Sequence, residues 1–199
     1  MSKPFTTSID SHGIAELVFN KPPVNAFTSQ GWADIAAEIE DLGQTSAVRV
    51  IIIAAEGRGF CGAADIIVAS ECATFAVPEV DRGAMGGGAH LQRMFPVQKV
   101  RYMYFTGEAI TAQEAYRLGA VEKVVPKEKL RETAREIALK IAEKSPVMIA
   151  LAKEALTGIE DGNLEDKYRW EQGFTLQAYS DKDSQEARDA FVEKRDAKF

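Results

Sequence analysis

The stretch between residues 48 and 69 limits the possible folds more than any other part of the sequence. Residues 48–54 (VRVIIIA) are apolar and β-branched, which is typical of a strand buried on both faces in a parallel or mixed sheet. Residues 65–69 (DIIVA) predict a second strand after a seam of only ten residues, 55–64. A parallel crossover needs about a dozen residues or more. The seam therefore indicates either an antiparallel rearrangement or a missing segment.

Strand patterns precede helical ones along the rest of the chain. Residues 5–10 and 14–19 predict a hairpin, and a helix capped by Thr28 or Ser29 ends near Gly43. A third short strand is predicted at residues 122–125. Helical spacing and terminal glycines predict further helices over residues 99–105, 111–118, 130–141, 146–158, 163–179 and 186–195. Capping boxes of Thr111 with Glu114 and of Asp183 with Glu186 mark the starts of two of them.

This order of elements predicts an α/β core that carries a helical C-terminal region. We place the boundary near Ser145, with the core at residues 1–144 and the helical region at residues 145–199. The aromatic and apolar side chains of the helical region exceed what one small helical layer buries against itself. They predict packing on the core or on another subunit.

Composition excludes several classes of function. The net charge is −6 over 199 residues, which disfavours nucleic acid and anionic membranes as partners because both require clustered Lys and Arg. Cys61 and Cys72 form no CxxC motif and there are two His, so no metal site is expected. With no apolar stretch long enough to span a bilayer and no signal-like N-terminus, we expect a cytoplasmic location.

Two carboxylates follow a proline in residues 75–88, FAVPEVDRGAMGGG. If the backbone is extended there, Glu79 and Asp81 point the same way and perturb each other's pKa values, as an acid and base pair would. The alternative is that both are solvated turn residues, with Asp81 pairing Arg82 or Arg93.

Glycine-rich loops are the other candidate ligand sites. Gly86, Gly87 and Gly88 precede a predicted helix start, where backbone N–H groups attract an anion, or they form an ordinary turn. His90 follows, and a lone His near a helix start favours a packing or capping role over catalysis. Residues 57–60 (GRGF) come directly after a strand, where α/β sheets place ligand loops and where N–H groups can face a developing oxyanion.

Taken together, these segments resemble the enoyl-CoA hydratase/isomerase, or crotonase, family. The likeness covers nearly the whole chain in the family's order. The matching runs are PPVNAF at 22–27, VRVIIIAAEGRGF at 48–60, ADIIVASECATFAVPEVDRGAMGGG at 64–88, FTGEAITAQEAYRLGAVEKVVP at 105–126, and AFVEKRDAKF at 190–199.

The resemblance implies a spiral of ββα turns and a C-terminal helical region that assembles homotrimers or dimers of trimers. It also implies an acyl-CoA substrate whose thioester carbonyl is held by two backbone N–H groups that stabilise an enolate. Coenzyme A would then be part of the substrate, with no further cofactor and no metal.

The same resemblance suggests site residues. Glu79 matches the family's second catalytic glutamate, and Asp81 lies where members vary their acid and base. The implied substrate and CoA contacts are Asn25, Ala26, Phe27, Phe60, Gly87 and Lys194, the lysine meeting CoA phosphates.

One departure from the family pattern falls at the seam. Members follow GRGF with a helix, a strand and a second glycine-rich loop that supplies the other oxyanion N–H and often the first catalytic glutamate. Here Phe60 and Cys61 join directly to a run resembling the end of that unit. Because both flanks keep the pattern, a missing segment is favoured over a rearrangement.

Three functions remain open on the sequence. The first is hydration of a 2-enoyl-CoA with Glu79 handling a proton. The second is a C–C bond hydrolase or isomerase, because residues 78–88 and 168–174 resemble a subgroup that opens ring-derived acyl-CoAs in steroid degradation. The third is a non-catalytic oligomeric member, for which the seam is the only evidence.

Overall fold

Our computed structural model describes residues 3–21, 24–57, 64–160, 162 and 164–197. The chain divides into two units, each built from two separate stretches. One unit comprises Met1–Ala64 and Arg131–Ile159, and the other comprises Asp65–Leu130 and Glu160–Phe199. We call them the first and second units. The predicted division at residue 145 stays a prediction.

The first unit contains a three-stranded sheet. Strands β1 (Phe5–Ile9) and β2 (Ile14–Phe19) pair antiparallel, which confirms the predicted hairpin. Strand β3 (Val50–Ala55) lies parallel to β2, and helix α1 (Ser29–Gln44) forms the crossover between them. The Thr28 side chain accepts a hydrogen bond from the Gly31 amide, so Thr28 is the N-cap.

Helix α1 covers one face of this sheet. Its Ile35 and Leu42 join a buried core with Phe5, Ala15, Leu17 and Phe19. The predicted stop at Gly43 is wrong by one residue, because the helix continues to Gln44 and Thr45 takes the C-cap position. Apolar spacing thus locates the buried face better than it locates the helix end.

Strand β3 differs from its prediction. All six of its residues are half-buried rather than buried on both faces. Ile51 and Ile53 pack against the core under α1, whereas Ile52 lies on the other face beside Arg131 and Arg135. The apolar run is therefore covered well on one face only.

The second unit contains two small sheets. Strand β4 (Val68–Ser70) pairs in parallel with β7 (Lys123–Val125), and β5 (Thr74–Phe75) pairs antiparallel with β6 (Ile110–Thr111). Since β4 pairs with β7, the two strands that flank the seam belong to different sheets. Within the described residues, the strands before and after the seam therefore do not pair with each other. The short strands β5 and β6 were not predicted.

Helices complete the second unit. They are α2 (Gly88–Met94), α3 (Val97–Thr106), α4 (Ala112–Arg117), α7 (Leu164–Tyr179) and α8 (Lys182–Glu193). Thr111 caps α4 as predicted by accepting from the Glu114 amide. The predicted cap of α8 is wrong, because Asp181 rather than Asp183 accepts the first-turn amide. A core around Met103, Ala112 and Ala115 holds the unit together.

Helices α5 (Leu130–Ala142) and α6 (Pro146–Ile159) belong to the first unit. Short 3-10 turns occur at Val80–Arg82 and Lys127–Lys129. Within the described ranges, none of the helices has the length and apolar character needed to cross a membrane.

Candidate active site

Glu79 begins a tight turn in the second unit. Pro78 precedes it, and the turn Val80–Arg82 ends at Gly83, whose φ of 63° is left-handed. The Glu79 carbonyl accepts hydrogen bonds from the Arg82 and Ala84 amides, at 3.0 and 2.9 Å. These bonds fix the backbone from which the half-buried Glu79 side chain projects.

The backbone is not extended at this position, so the condition for a same-side pair of carboxylates is not met. Glu79 has φ −60° and ψ −37°, so the chain is helical here and residues two apart do not share a side. Asp81 is exposed, and its carboxylate lies against Gly107, where an added Cβ would stand 2.9 Å from the Asp81 Cγ. The two carboxylates thus differ in exposure and in surroundings. That either one is catalytic remains a prediction.

The glycines predicted to bind an anion, Gly86 to Gly88, lead into the first residue of α2. Gly86 and Gly87 have φ of 144° and 84°, values that L side chains rarely adopt. The Gly87 carbonyl accepts from the Leu91 amide, whereas the Gly86 amide donates to the Tyr104 hydroxyl at 2.8 Å. One N–H of the predicted nest is therefore already used within the protein.

His90 packs inside the second unit. Its ring centroid lies 5.2 Å from that of Tyr168 on α7, with the planes tilted by 51°. Its Nδ1 is buried and makes no hydrogen bond to the described residues. This placement agrees with the packing role favoured by the sequence.

Asn25 makes hydrogen bonds that hold the loop preceding α1. It is 4% exposed with φ 53°. Its Oδ1 accepts from the Lys21 amide at 2.8 Å, and its Nδ2 donates to the Glu56 carbonyl at 2.7 Å. Asn25 therefore joins this loop to the end of β3, and its side-chain amide is engaged within the first unit.

The two residues after Asn25 differ in exposure. Ala26 is exposed, and Phe27 is half-buried between Phe19 and Trp32, with edge-to-face ring distances of 5.2 and 5.1 Å. The Lys21 ammonium lies 5.9 Å from the Phe27 ring. Of the described residues of this motif, Val24 and Ala26 are thus the accessible ones.

The remaining predicted contacts lie elsewhere. Lys194 is exposed and adopts a left-handed conformation with φ 56° as the C-cap of α8. Phe60 lies outside the described residues. Glu79, Asp81, Gly87 and Lys194 belong to the second unit, whereas Asn25, Ala26 and Phe27 belong to the first.

Sequence reasoning missed three hydroxyls that contact the loop after Glu79. Tyr104 on α3, Thr175 on α7 and Ser184 on α8 each bond to a backbone group of residues 83–86. No sequence motif marks them, because each lies at least 18 residues away from the loop atom that it contacts. Among the residues that the structure describes, no cluster of three potential metal ligands occurs.

Comparison with known proteins identifies the family. The profile described as enoyl-CoA hydratase/isomerase matches residues 57–199, more than two thirds of the chain. The chain belongs to the enoyl-CoA hydratase/isomerase family. This confirms the family predicted from the motifs.

Named relatives of this family member are enzymes. A (7aS)-7a-methyl-1,5-dioxo-2,3,5,6,7,7a-hexahydro-1H-indene-carboxyl-CoA hydrolase of Rhodococcus jostii is 36% identical over 242 aligned positions, which cover 94% of each chain. A carnitinyl-CoA dehydratase of Salmonella enteritidis PT4 is 34% identical over 205 positions, covering 96% of this chain and 75% of that protein. The prediction of an acyl-CoA enzyme of this family is confirmed.

The crotonase fold is confirmed by solved structures. The crystal structure of carnitinyl-CoA hydratase from Mycobacterium avium superimposes with a TM-score of 0.90 at 20% identity, covering 100% of this chain and 99% of that chain. The Rhodococcus alignment also bears on the seam. Its 242 positions exceed the 199 residues of this chain, so at least 43 of them face gaps here. This supports a missing internal segment.

Proposed function

We propose that this family member adds water across the double bond of a 2-enoyl-CoA, with Glu79 as the proton-handling residue. The observation that carries the proposal is the position of Glu79. It lies in the run at residues 64–88 that resembles the family, at the start of a hydrogen-bonded turn that leads into the glycine-rich residues 83–88. A carboxylate on a fixed backbone holds a stable position relative to a bound substrate.

The chemistry required of the site is limited. The water oxygen bonds to Cβ of the enoyl group, and the thioester oxygen then carries the negative charge of the enolate. A proton is finally added at Cα. Glu79 accepts the proton from water or delivers one to Cα. Backbone N–H groups stabilise the enolate oxygen, and such donors typically contribute a factor of about 10² to 10³ in kcat.

Substrate contacts are proposed for both units. Lys194 offers an exposed ammonium to a CoA phosphate, which supplies the local positive charge that a chain of net charge −6 otherwise lacks. Ala26 and Phe27 would contact CoA, and Asn25 would act by holding their loop. Gly87 is proposed as a further substrate contact of the second unit, and Phe60 stays a proposed contact on the family resemblance alone.

The deciding measurement uses purified protein and crotonyl-CoA. Loss of the enoyl absorbance is expected, and Glu79→Gln is expected to lower kcat by about 10² to 10⁴, the usual contribution of a general acid or base. Glu122→Gln is the matched control, since Glu122 belongs to the same unit but is exposed, and its amide donates to the Ile67 carbonyl, outside this loop. Equal activity of Glu79→Gln and wild type would remove Glu79 from the mechanism.

A second candidate is hydrolysis of a C–C bond in a ring-derived acyl-CoA. It is favoured by the hydrolase relatives, at 36% identity in Rhodococcus jostii and 33% in Mycobacterium tuberculosis. In this reaction, water adds to a ring ketone, the adjacent C–C bond breaks, and the released carbanion is protonated. Turnover of a cyclic β-diketone acyl-CoA without turnover of crotonyl-CoA would favour this candidate.

A third candidate is a non-catalytic member, which the gap relative to its relatives supports. A fluorescence or calorimetric titration with acetyl-CoA and crotonyl-CoA distinguishes it. Binding without turnover of either substrate class would leave this candidate standing, and the absence of any acyl-CoA binding would support it further.

We also propose that the chain assembles into a homotrimer or a dimer of trimers in the cytoplasm. Large apolar side chains on three helices support assembly, because monomers rarely expose so many. They are Val147, Met148, Leu151 and Leu156 on α6, Trp170, Leu176 and Tyr179 on α7, and Phe191 and Val192 on α8.

A further inference from the structure

Three helices bond to the glycine-rich loop that follows Glu79. Tyr104 on α3 accepts from the Gly86 amide at 2.8 Å. Thr175 on α7 donates to the Met85 carbonyl at 2.9 Å, and the Ser184 hydroxyl on α8 donates to the Gly83 carbonyl. The three bonds fall within four consecutive loop residues. All of the groups belong to the second unit.

We propose that Tyr104, Thr175 and Ser184 are positioning residues that hold this loop, and through it Glu79, in the geometry needed for reaction. The catalytic part of this inference rests on the proposed function, in which Glu79 handles the proton. The holding of the loop itself rests on the hydrogen bonds alone.

The loop needs external support because of its composition. Gly83, Gly86 and Gly87 have positive φ values of 63°, 144° and 84°. Glycine loses more conformational freedom on ordering than any other residue, so such a segment does not stay fixed through its own sequence. Side-chain bonds to its backbone offset that loss, and a displacement of about 1 Å in an active site can cost about 10²-fold in rate.

The Ser184 hydroxyl is itself oriented by a neighbour. Arg188 donates to the Ser184 oxygen at 2.6 Å, and it also donates to the Gln185 side chain at 2.9 Å. The guanidinium lies 5.4 Å from the Tyr179 ring centroid. Because the Ser184 oxygen accepts from Arg188, its own hydrogen is left for the Gly83 carbonyl.

This arrangement gives α7 and α8 a role besides assembly. Thr175 contacts the loop from the same helix that exposes Leu176 and Tyr179. Ser184 is buried, unlike the exposed Phe191 and Val192 at the end of the same helix. One face of each helix therefore contacts the loop, independently of the contacts that the opposite face makes.

The test uses variants that remove a hydroxyl while keeping side-chain volume. Tyr104→Phe and Thr175→Val delete one loop bond each. Their matched controls lie on α3. Tyr102→Phe removes a hydroxyl bonded to exposed Glu108, and Thr106→Val removes one that donates to the Tyr102 carbonyl and accepts from the Glu108 amide.

Two readouts are measured on the full chain. Hydrogen exchange of the amides of residues 83–87 is expected to speed up at least tenfold in Tyr104→Phe and Thr175→Val, and not in the controls. With crotonyl-CoA, kcat is expected to fall tenfold or more while KM changes less than twofold. Thr175→Ser, which restores the hydroxyl, is expected to recover both.

The two readouts separate failure of the inference from failure of the proposed function. Unchanged exchange at residues 83–87 in a folded variant would overturn the loop-holding role, whether or not the wild type turns over substrate. Faster exchange with unchanged kcat would overturn the catalytic part of the inference. An inactive Glu79→Gln together with fully active loop variants would leave the proposed function standing and reject the catalytic part of this inference.

Discussion

Gly83 packs directly on the backbone of Ser184. Gly83 has φ 63°, and a Cβ at this position would stand 2.7 Å from the Ser184 Cα, closer than real side chains approach. The contact lets the Ser184 hydroxyl reach the Gly83 carbonyl. Helix α8 therefore lies against the turn that begins at Glu79 because residue 83 has no side chain.

Gly83→Ala is expected to lower the free energy of unfolding by about 1–3 kcal/mol, through overlap with Ser184 and the positive φ. Gly43→Ala is the control, because a Cβ at Gly43 meets nothing within 4 Å and the residue lies in α1. That control is expected to raise stability by about 0.5–1 kcal/mol. Urea denaturation measures both changes, and equal stability of the two variants would contradict the packing described.

Substitutions at Asn25 separate its hydrogen bonds from its backbone conformation. Asn25→Gly keeps an easy positive φ but removes the bonds to Lys21 and Glu56, so a loss of about 1–3 kcal/mol is expected. Asn25→Ala is expected to lose about 1 kcal/mol more than Asn25→Gly, because a residue with a Cβ is disfavoured in the left-handed conformation. Chemical denaturation of both variants tests this order, which fails if Ala is the better tolerated residue.

The sequence predicts these features unequally. Local signals were sufficient for the hairpin around Gly13, for the Thr111 cap and for the α1 stripe that contains Ile35, because each depends on a few neighbouring residues. The backbone at Glu79 was left open between an extended strand and a turn, since two carboxylates after a proline fit both, and the structure shows the turn.

Long-range contacts explain most of what the sequence did not reveal. The half-buried state of β3 depends on which elements cover each face, and the apolar run alone suggested cover on both. Likewise, Tyr104, Thr175 and Ser184 contact the Glu79 loop from helices distant in sequence. Family motifs suggested Glu79 and Asn25 as site residues, but only the structure shows that the Asn25 amide is engaged within its own unit.

Glu114 is expected to make stability depend on pH in acid. Hydrogen bonds from Arg117 and then Lys99 lower the pKa of this carboxyl from 4.5 to about 2. A lowered folded-state pKa means that the stabilisation is present above about pH 4.5 and is lost as the pH falls towards 2. Comparing the Tm of wild type and Glu114→Gln should show a difference at pH 6 that shrinks by pH 2.5.

Salt provides the check on that interpretation. Because the Glu114 pairs lie at the surface, their effect on Tm is expected to be small and to weaken further at about 1 M salt. A Tm difference that is the same at every pH would instead attribute the effect of Glu114→Gln to changes in helix α4 other than charge.

Helix α6 offers the sharpest test of self-association. Leu151 and Leu156 are 54% and 63% exposed, and the helix carries no buried residue within its described side chains. If this face is covered in an assembly, Leu151→Glu places a charge in an apolar interface, which is costly unless the charge is paired.

The wild type is then expected to show a multimer mass by light scattering, and Leu151→Glu a mass near the monomer at the same concentration. Lys153→Gln, which makes the net charge more negative by the same one unit on the same helix, controls for net charge. Because residue 151 is exposed in the single chain, the Tm of a dilute sample should change little. A wild-type mass of 21.8 kDa at all concentrations would contradict assembly through this helix.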